Sequence, residues 1–113
     1  MALKPLNQEM QQCLMNCLDC HRLCTSAAAH VMHGGGKHAE AEHLVSLLDC
    51  AQICLTHADF MARQSPHHMH LAKECAEICA ACASLCEAHA DADGVMKECA
   101  EACRTCAQSC AAM

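Results

Sequence analysis

Tryptophan and tyrosine are absent from this 113-residue chain, and Phe60 is its only phenylalanine. Without bulky rings the core must be narrow, and the abundant alanine and cysteine are the side chains left to build it. Glycine occurs four times and proline twice, too rarely for a loop-rich fold, while alanine favours helix strongly. The seven Lys and Arg residues are scattered from Lys4 to Arg104 without a run, and the net charge is −6 with histidine neutral. That balance suits neither nucleic acid nor an anionic lipid surface. No uninterrupted apolar stretch approaches the roughly 20 residues that span a bilayer. Met1 to Met10 hold no apolar h-region, no twin arginine and no cleavage site. The expectation is a cytoplasmic protein with no nucleic-acid and no membrane partner. At this length residues 1–113 form one domain with a single core.

What the chain has instead is cysteine, fourteen of them. In a secreted chain that density reads as a disulfide scaffold, but reduced thiols of a cytosolic protein are better used on metal. The thiols repeat one spacing, C-x3-C-x2-C-x3-C, at Cys13, Cys17, Cys20, Cys24, at Cys75, Cys79, Cys82, Cys86 and at Cys99, Cys103, Cys106, Cys110. A fourth copy, Cys50, Cys54, His57 and Met61, keeps the intervals but ends in an imidazole and a thioether. Steps of four, three and four are the a and d positions of a heptad, so each set lies on one face of a helix.

Four helices are predicted. The first starts near Pro5 and stops at Gly34, Gly35 and Gly36. The second rises from about Ala39 and ends before Ser65 and Pro66, with Ser65 placed to cap the third, roughly His67 to His89. Asp91, Ala92, Asp93 and Gly94 turn into the fourth, which reaches about Ala112. Short loops imply an all-α, antiparallel up-down-up-down four-helix bundle with a cysteine-lined core. Matching the four copies gives four layers: Cys13, Met61, Cys75, Cys110; Cys17, His57, Cys79, Cys106; Cys20, Cys54, Cys82, Cys103; and Cys24, Cys50, Cys86, Cys99. Leu23, Ile53, Phe60, Leu71, Ile78, Leu85 and Val95 stand one residue before stripe positions and should close the seams. Leu14, Leu18, Leu44, Leu48 and Leu55 should face outward, which suggests self-association.

A buried cysteine is ordinarily a small hydrophobe. Filling fourteen of sixteen core slots with thiol is a selection for ligand chemistry, since Leu, Ile or Val would bury more apolar area. Thiolates and thioethers favour Cu(I), zinc and iron–sulfur clusters. Zinc takes isolated tetrahedral sets and has no use for an unbroken ladder; iron–sulfur clusters are wrapped by irregular cysteine loops, whereas these thiols keep helical register. Cu(I) accepts two or three sulfurs and shares bridging thiolates, so a tube of thiols can hold multiple ions. A structural zinc module and a ferredoxin-like electron carrier are the alternatives.

With these repeats the chain resembles the bacterial copper storage proteins, specifically the cytosolic type without an export signal, over about Leu6 to Ala112. The resemblance implies a cysteine-lined four-helix bundle that assembles into a homotetramer and stores multiple Cu(I) ions, with a copper-donating chaperone or small thiol as a partner. It departs from a fully cysteine-lined tube at His57 and Met61. Outside the ladder, Met10 and Met113 lie below the first layer near His67, His68, Met69 and His70. His89 and Met96, which continue the stripe, lie above the fourth with His43 and a His30, His33, His38 group. Met61, His57, Met10 and Met113 are read as an ion-exchange path. No Ser/His/Asp set, phosphate loop or paired-carboxylate pocket appears, so the chain is not read as an enzyme.

Overall fold

A computed structural model describes residues 4–34, 40–89 and 94–113. Helix α1 spans Gln8–Gly34, α2 Ala41–Ala62, α3 His68–Glu87 and α4 Gly94–Ala111. Gly35, Gly36, His38, Ala39 and Asp91 to Asp93, to which the sequence assigned turns, a helix start and a possible ligand, lie outside the described residues.

The first helix starts later than Pro5 suggested, because a better cap follows. The Asn7 side-chain oxygen accepts from the Met10 backbone N–H at 2.8 Å, satisfying one of the donors that a helix start leaves orphaned. At the end of α2, Gln64 takes a left-handed φ of 54°. The Gln64 N–H then donates to the Met61 carbonyl and the Ser65 N–H to that of Phe60, the paired bonds of a Schellman stop. Ser65 caps the turn ahead of α3 rather than the helix itself: its Oγ accepts from the His67 N–H at 3.1 Å.

Each helix packs on two neighbours, α1 on α2 and α4, α3 on α2 and α4. The result is a square, antiparallel rod of 52 × 18 × 18 Å. Small residues permit the close approach: Ala27, Ala28, Ala51, Ala58, Ala72, Ala83 and Ala100 are all buried between helices. The seven seam residues named above are half-buried as expected, and Ile53, Ile78 and Val95 pack directly on the core. His21, off the stripe, ties α1 to α2 through Nδ1–H to the Ala51 carbonyl at 2.7 Å. Arg104 on α4 forks onto Glu87 of α3 at 2.7 and 3.0 Å, an exposed pair of small energetic weight.

Of the leucines expected to face outward, Leu18 and Leu48 are exposed, while Leu14 and Leu44 are half-buried against the core and Leu55 is half-buried. These outer residues and the buried stripe together make α2 apolar on two faces. It is long and apolar enough to cross a membrane by length and composition, with a mean hydropathy of 1.2. The absence of an unbroken apolar run had hidden this. Glu42, Asp49 and Asp59 interrupt it, and its stripe is spent on the thiol core.

Candidate metal centre

All fourteen cysteines are buried and none is in a disulfide. The heptad rhythm explains why: α1 places Cys13, Cys17, Cys20 and Cys24 on the axis, α3 and α4 place theirs likewise, and α2 adds Cys50, Cys54 and His57, all with at most 1 to 2 % of their surface exposed. Sulfurs of different helices meet at 3.5 to 3.9 Å, from Cys54 with Cys79 to Cys50 with Cys103. Contact extends across the diagonals of the square, where Cys54 of α2 reaches Cys106 of α4 at 3.8 Å. A metal–sulfur bond of about 2.3 Å separates two ligands by about 3.8 Å at a tetrahedral angle and about 4.0 Å at a trigonal one. The thiols are therefore already spaced to grip an ion with little movement.

Among the described residues, five groups of four ligands each fall within 4.8 Å of one another. From the end that holds the N-terminus they are Cys13, Cys17, His57, Cys110; then Cys17, Cys75, Cys106, Cys110; then Cys54, Cys75, Cys79, Cys106; then Cys20, Cys50, Cys54, Cys79; and then Cys20, Cys24, Cys50, Cys103. Each group shares two ligands with the next. The array is a continuous relay, in which an ion held by one group always touches ligands of its neighbour.

These groupings correct the layers expected from the sequence. Cys54 meets Cys75 and Cys79 rather than Cys82, and Cys50, grouped with Cys24 as expected, meets Cys20, Cys79 and Cys103 rather than Cys86 and Cys99. His57 joins Cys17 at 3.5 Å as expected, and Cys110 rather than Cys106, at 3.6 Å. Helix α2 keeps its expected partners on α1, Cys17 with His57, Cys20 with Cys54 and Cys24 with Cys50, and is displaced toward the N-terminal end against α3 and α4. A 3.5-residue rhythm permits this, since a slip of one step leaves every stripe residue on the same face. Met61 and Leu47, which flank these ligands along the α2 stripe, are fully buried, and Cys24 and Cys99 meet at 3.6 Å. Cys82, Cys86 and Cys99 belong to none of the five groups.

Protons are shared unevenly over this network. Cys13, Cys20, Cys50, Cys75, Cys82, Cys99 and Cys106 are drawn below the ordinary thiol value, and Cys17, Cys24, Cys54, Cys79, Cys86, Cys103 and Cys110 are pushed above it. The cause is hydrogen bonding between thiols. Hydrogen bonding with Cys110 draws Cys13 down to about 3, and that with Cys103 draws Cys99 to about 5, while burial acts against ionisation at every site. Along α1 the lowered thiols, Cys13 and Cys20, alternate with the raised ones, Cys17 and Cys24. Thiolates can accumulate in so dry a core only if cations replace the protons, and a monovalent ion does so with no change of net charge.

Both ends of the thiol core finish in imidazoles. At the N-terminal end, His57 lies nearly parallel to His68, with ring centroids 6.1 Å apart, and Met10 and Met113 are half-buried against the core. At the other end Met96 is fully buried, and His89 stacks on His43 at 5.0 Å. His43 is the residue that sequence reasoning left out of the ligand set. It is 2 % exposed, and its Nε2 lies 3.5 Å from the Cys86 sulfur. The signal was present, for His43, Leu47 and Cys50 continue the four-and-three rhythm backward, and His68, Ala72 and Cys75 do the same on α3.

Solved structures share this architecture. The Nmul_A1745 protein from Nitrosospira multiformis is 42% identical, with a TM-score of 0.86 over 93% of this chain and 94% of its own. The Cu(I)-bound copper storage protein BsCsp3 is 29% identical, with a TM-score of 0.87 over 94% of this chain and 98% of its own. A cytosolic copper storage protein from Streptomyces lividans, in a structure with five coppers, is 29% identical, with a TM-score of 0.87 over 93% of this chain and 91% of its own. The family model described as copper storage protein matches residues 6–113. With its thiol relay and that match over nearly its whole length, the chain belongs to the copper storage protein family.

Proposed function

We propose that this chain binds multiple Cu(I) ions through its core thiolates and stores them, buffering or detoxifying copper in the cytosol. The relay of ligand groups, each sharing two ligands with the next, carries the reading. Shared thiolates suit an ion that accepts bridging sulfur, whereas zinc closes isolated tetrahedra. Four thiolates around each divalent zinc would also leave a double negative charge per site in a dry core. The relatives from Streptomyces lividans and BsCsp3 hold copper in their structures, which supports the same cargo here. The chain acts as a carrier of ions, not a catalyst, and receives copper from a chaperone or a small thiol. Exposed Leu18, Leu48 and Val45 on α1 and α2 support assembly of copies, a homotetramer by the family resemblance. A monomeric mass at working concentration removes that assembly.

Exchange is assigned to the N-terminal end. His57 touches Cys17 and Cys110, and Met61, Met10 and Met113 continue outward. Neutral imidazole and thioether ligands lose no proton and hold Cu(I) with less charge compensation than thiolate, so ions there pass more readily. Replacing His57 and Met61 together by Cys should raise capacity and slow copper removal by a chelator. Replacing both by Leu should slow exchange without emptying the deeper groups. Unchanged loading and removal in both variants would move the entrance to the opposite end, where the contact of His43 with Cys86 and the His43–His89 stack support a second port with Met96.

A further inference from the structure

The thiol stripe fixes which face of a helix turns inward but not the level at which two helices meet, because a step along its rhythm exchanges one sulfur for another. Helices α1 and α2 are also near repeats of each other. Leu14, Leu18, Asp19, Cys20 and Cys24 recur in the same spacing as Leu44, Leu48, Asp49, Cys50 and Cys54, so apolar packing alone says little about their register. The repeat fails at His21, whose counterpart is Ala51. His21 directly follows Cys20, Ala51 directly follows Cys50, and the imidazole Nδ1–H donates to the Ala51 carbonyl at 2.7 Å. Ala51 is buried and carries only a methyl group, which leaves the ring room to reach the neighbouring backbone. A carbonyl can only accept, so this one bond fixes the tautomer of His21 and the level of α1 against α2. Beside it the Cys20 and Cys50 sulfurs meet at 3.7 Å. Both belong to the same two ligand groups, Cys20, Cys50, Cys54, Cys79 and Cys20, Cys24, Cys50, Cys103, in each of which α1 and α2 supply three of the four ligands.

We propose that His21 is a positioning residue for copper: its bond to Ala51 holds the Cys20 and Cys50 sulfurs at gripping distance and so tightens the two groups that share them. The proposal rests on the reading of the core as a Cu(I) store. His21 stands off the stripe and acts through Cys20 and Cys50, not as a ligand. A single directional polar contact is the means by which helices with a degenerate inward face are set in one register. Ligands held in place before the ion arrives need not be ordered when it binds, and that saving appears as affinity. The effect is local. Cys75 and Cys106 sit in groups that take one ligand from α1 or one from α2 but contain no pair drawn from both, so their hold on an ion does not depend on the His21 clasp.

The test follows copper thiol by thiol, in reduced full-length protein with carbon-13 at the cysteine β positions, loaded with Cu(I) and titrated with a strong Cu(I) chelator. His21→Leu should release copper from Cys20 and Cys50 at about tenfold lower chelator concentration, the loss typical of removing the support of a metal ligand, with Cys75 and Cys106 unchanged. His21→Asn carries an amide N–H at the same remove from the backbone as the imidazole Nδ1 and should restore native release. In nitrogen-15-labelled native protein the His21 Nδ1–H resonance should persist from the apoprotein to the loaded form, a measurement that needs no variant. Equal weakening at all four cysteines would make His21 a general stabiliser and overturn the proposal. So would unchanged release in His21→Leu, failure of His21→Asn to restore it, or loss of the Nδ1–H signal on loading. Cysteine resonances that do not respond to copper in the native protein would remove the storage reading itself.

Discussion

Copper should raise the melting temperature of this protein by more than about 20 °C, because several ions bind only the folded form and their contributions add. Each site held at roughly a thousand times its dissociation constant contributes about 4 kcal/mol, and about 1 kcal/mol moves the midpoint of a domain this size by several degrees. The apoprotein should already be helical. Leu47, Met61, Met96 and Val31 are fully buried, the alanine-rich helices have their own propensity, and the sulfurs are spaced for metal before any arrives. This differs from a zinc finger, whose fold forms only with the ion. The measurement is thermal unfolding by circular dichroism, anaerobically, with reduced protein at rising Cu(I). A midpoint that moves by only a degree or two at saturation would mean that copper sits on the surface.

The second large effect should follow removal of Cys54 and Cys79 together. Their sulfurs make the short 3.5 Å contact, and both belong to the same two central ligand groups. Replacing both by Ala breaks the relay in its middle, so capacity should fall by more than the ions that two thiols account for. Removal by a chelator should become biphasic, with the Cys13, Cys17, His57, Cys110 end emptying ahead of the Cys20, Cys24, Cys50, Cys103 end. The matched control is Cys82→Ala with Cys99→Ala, outside every shared group, which should lose no more than its own share. Cavities left by either pair should cost on the order of a few kcal/mol, so helicity is checked first. Equal losses and a single removal phase for both pairs would show that the groups load independently.

The helices and their inward faces were legible because the four-and-three rhythm fixes which side of each helix the cysteines occupy. Register was not, for the same physical reason: a step along that rhythm keeps the face and changes only the level. The sequence matched Cys50, Cys54, His57 and Met61 slot for slot against the other three copies. The fold keeps His57 with Cys17 and Cys50 with Cys24 as matched, but sets His57 against Cys110 and Cys54 against Cys75 and Cys106. His43 and His68 were legible as stripe continuations, but one histidine seven residues from a cysteine is a weak signal until the helix ends are in place. The start of α1 depended on a single side chain, because the capping bond from Asn7 outcompetes the preference of Pro5 for a first turn.

The most direct measurement of the central claim is parallel anaerobic titration of reduced apoprotein with Cu(I), with Zn(II), and with iron plus sulfide, reading metal per chain and affinity against competing chelators. With fourteen buried free thiols in overlapping groups, Cu(I) should saturate at on the order of one ion per thiol, because each thiolate serves two soft ions, and should displace zinc. Saturation at one or two ions, or a preference for zinc, would contradict storage and leave a structural zinc module; assembly of an iron–sulfur cluster would leave an electron carrier.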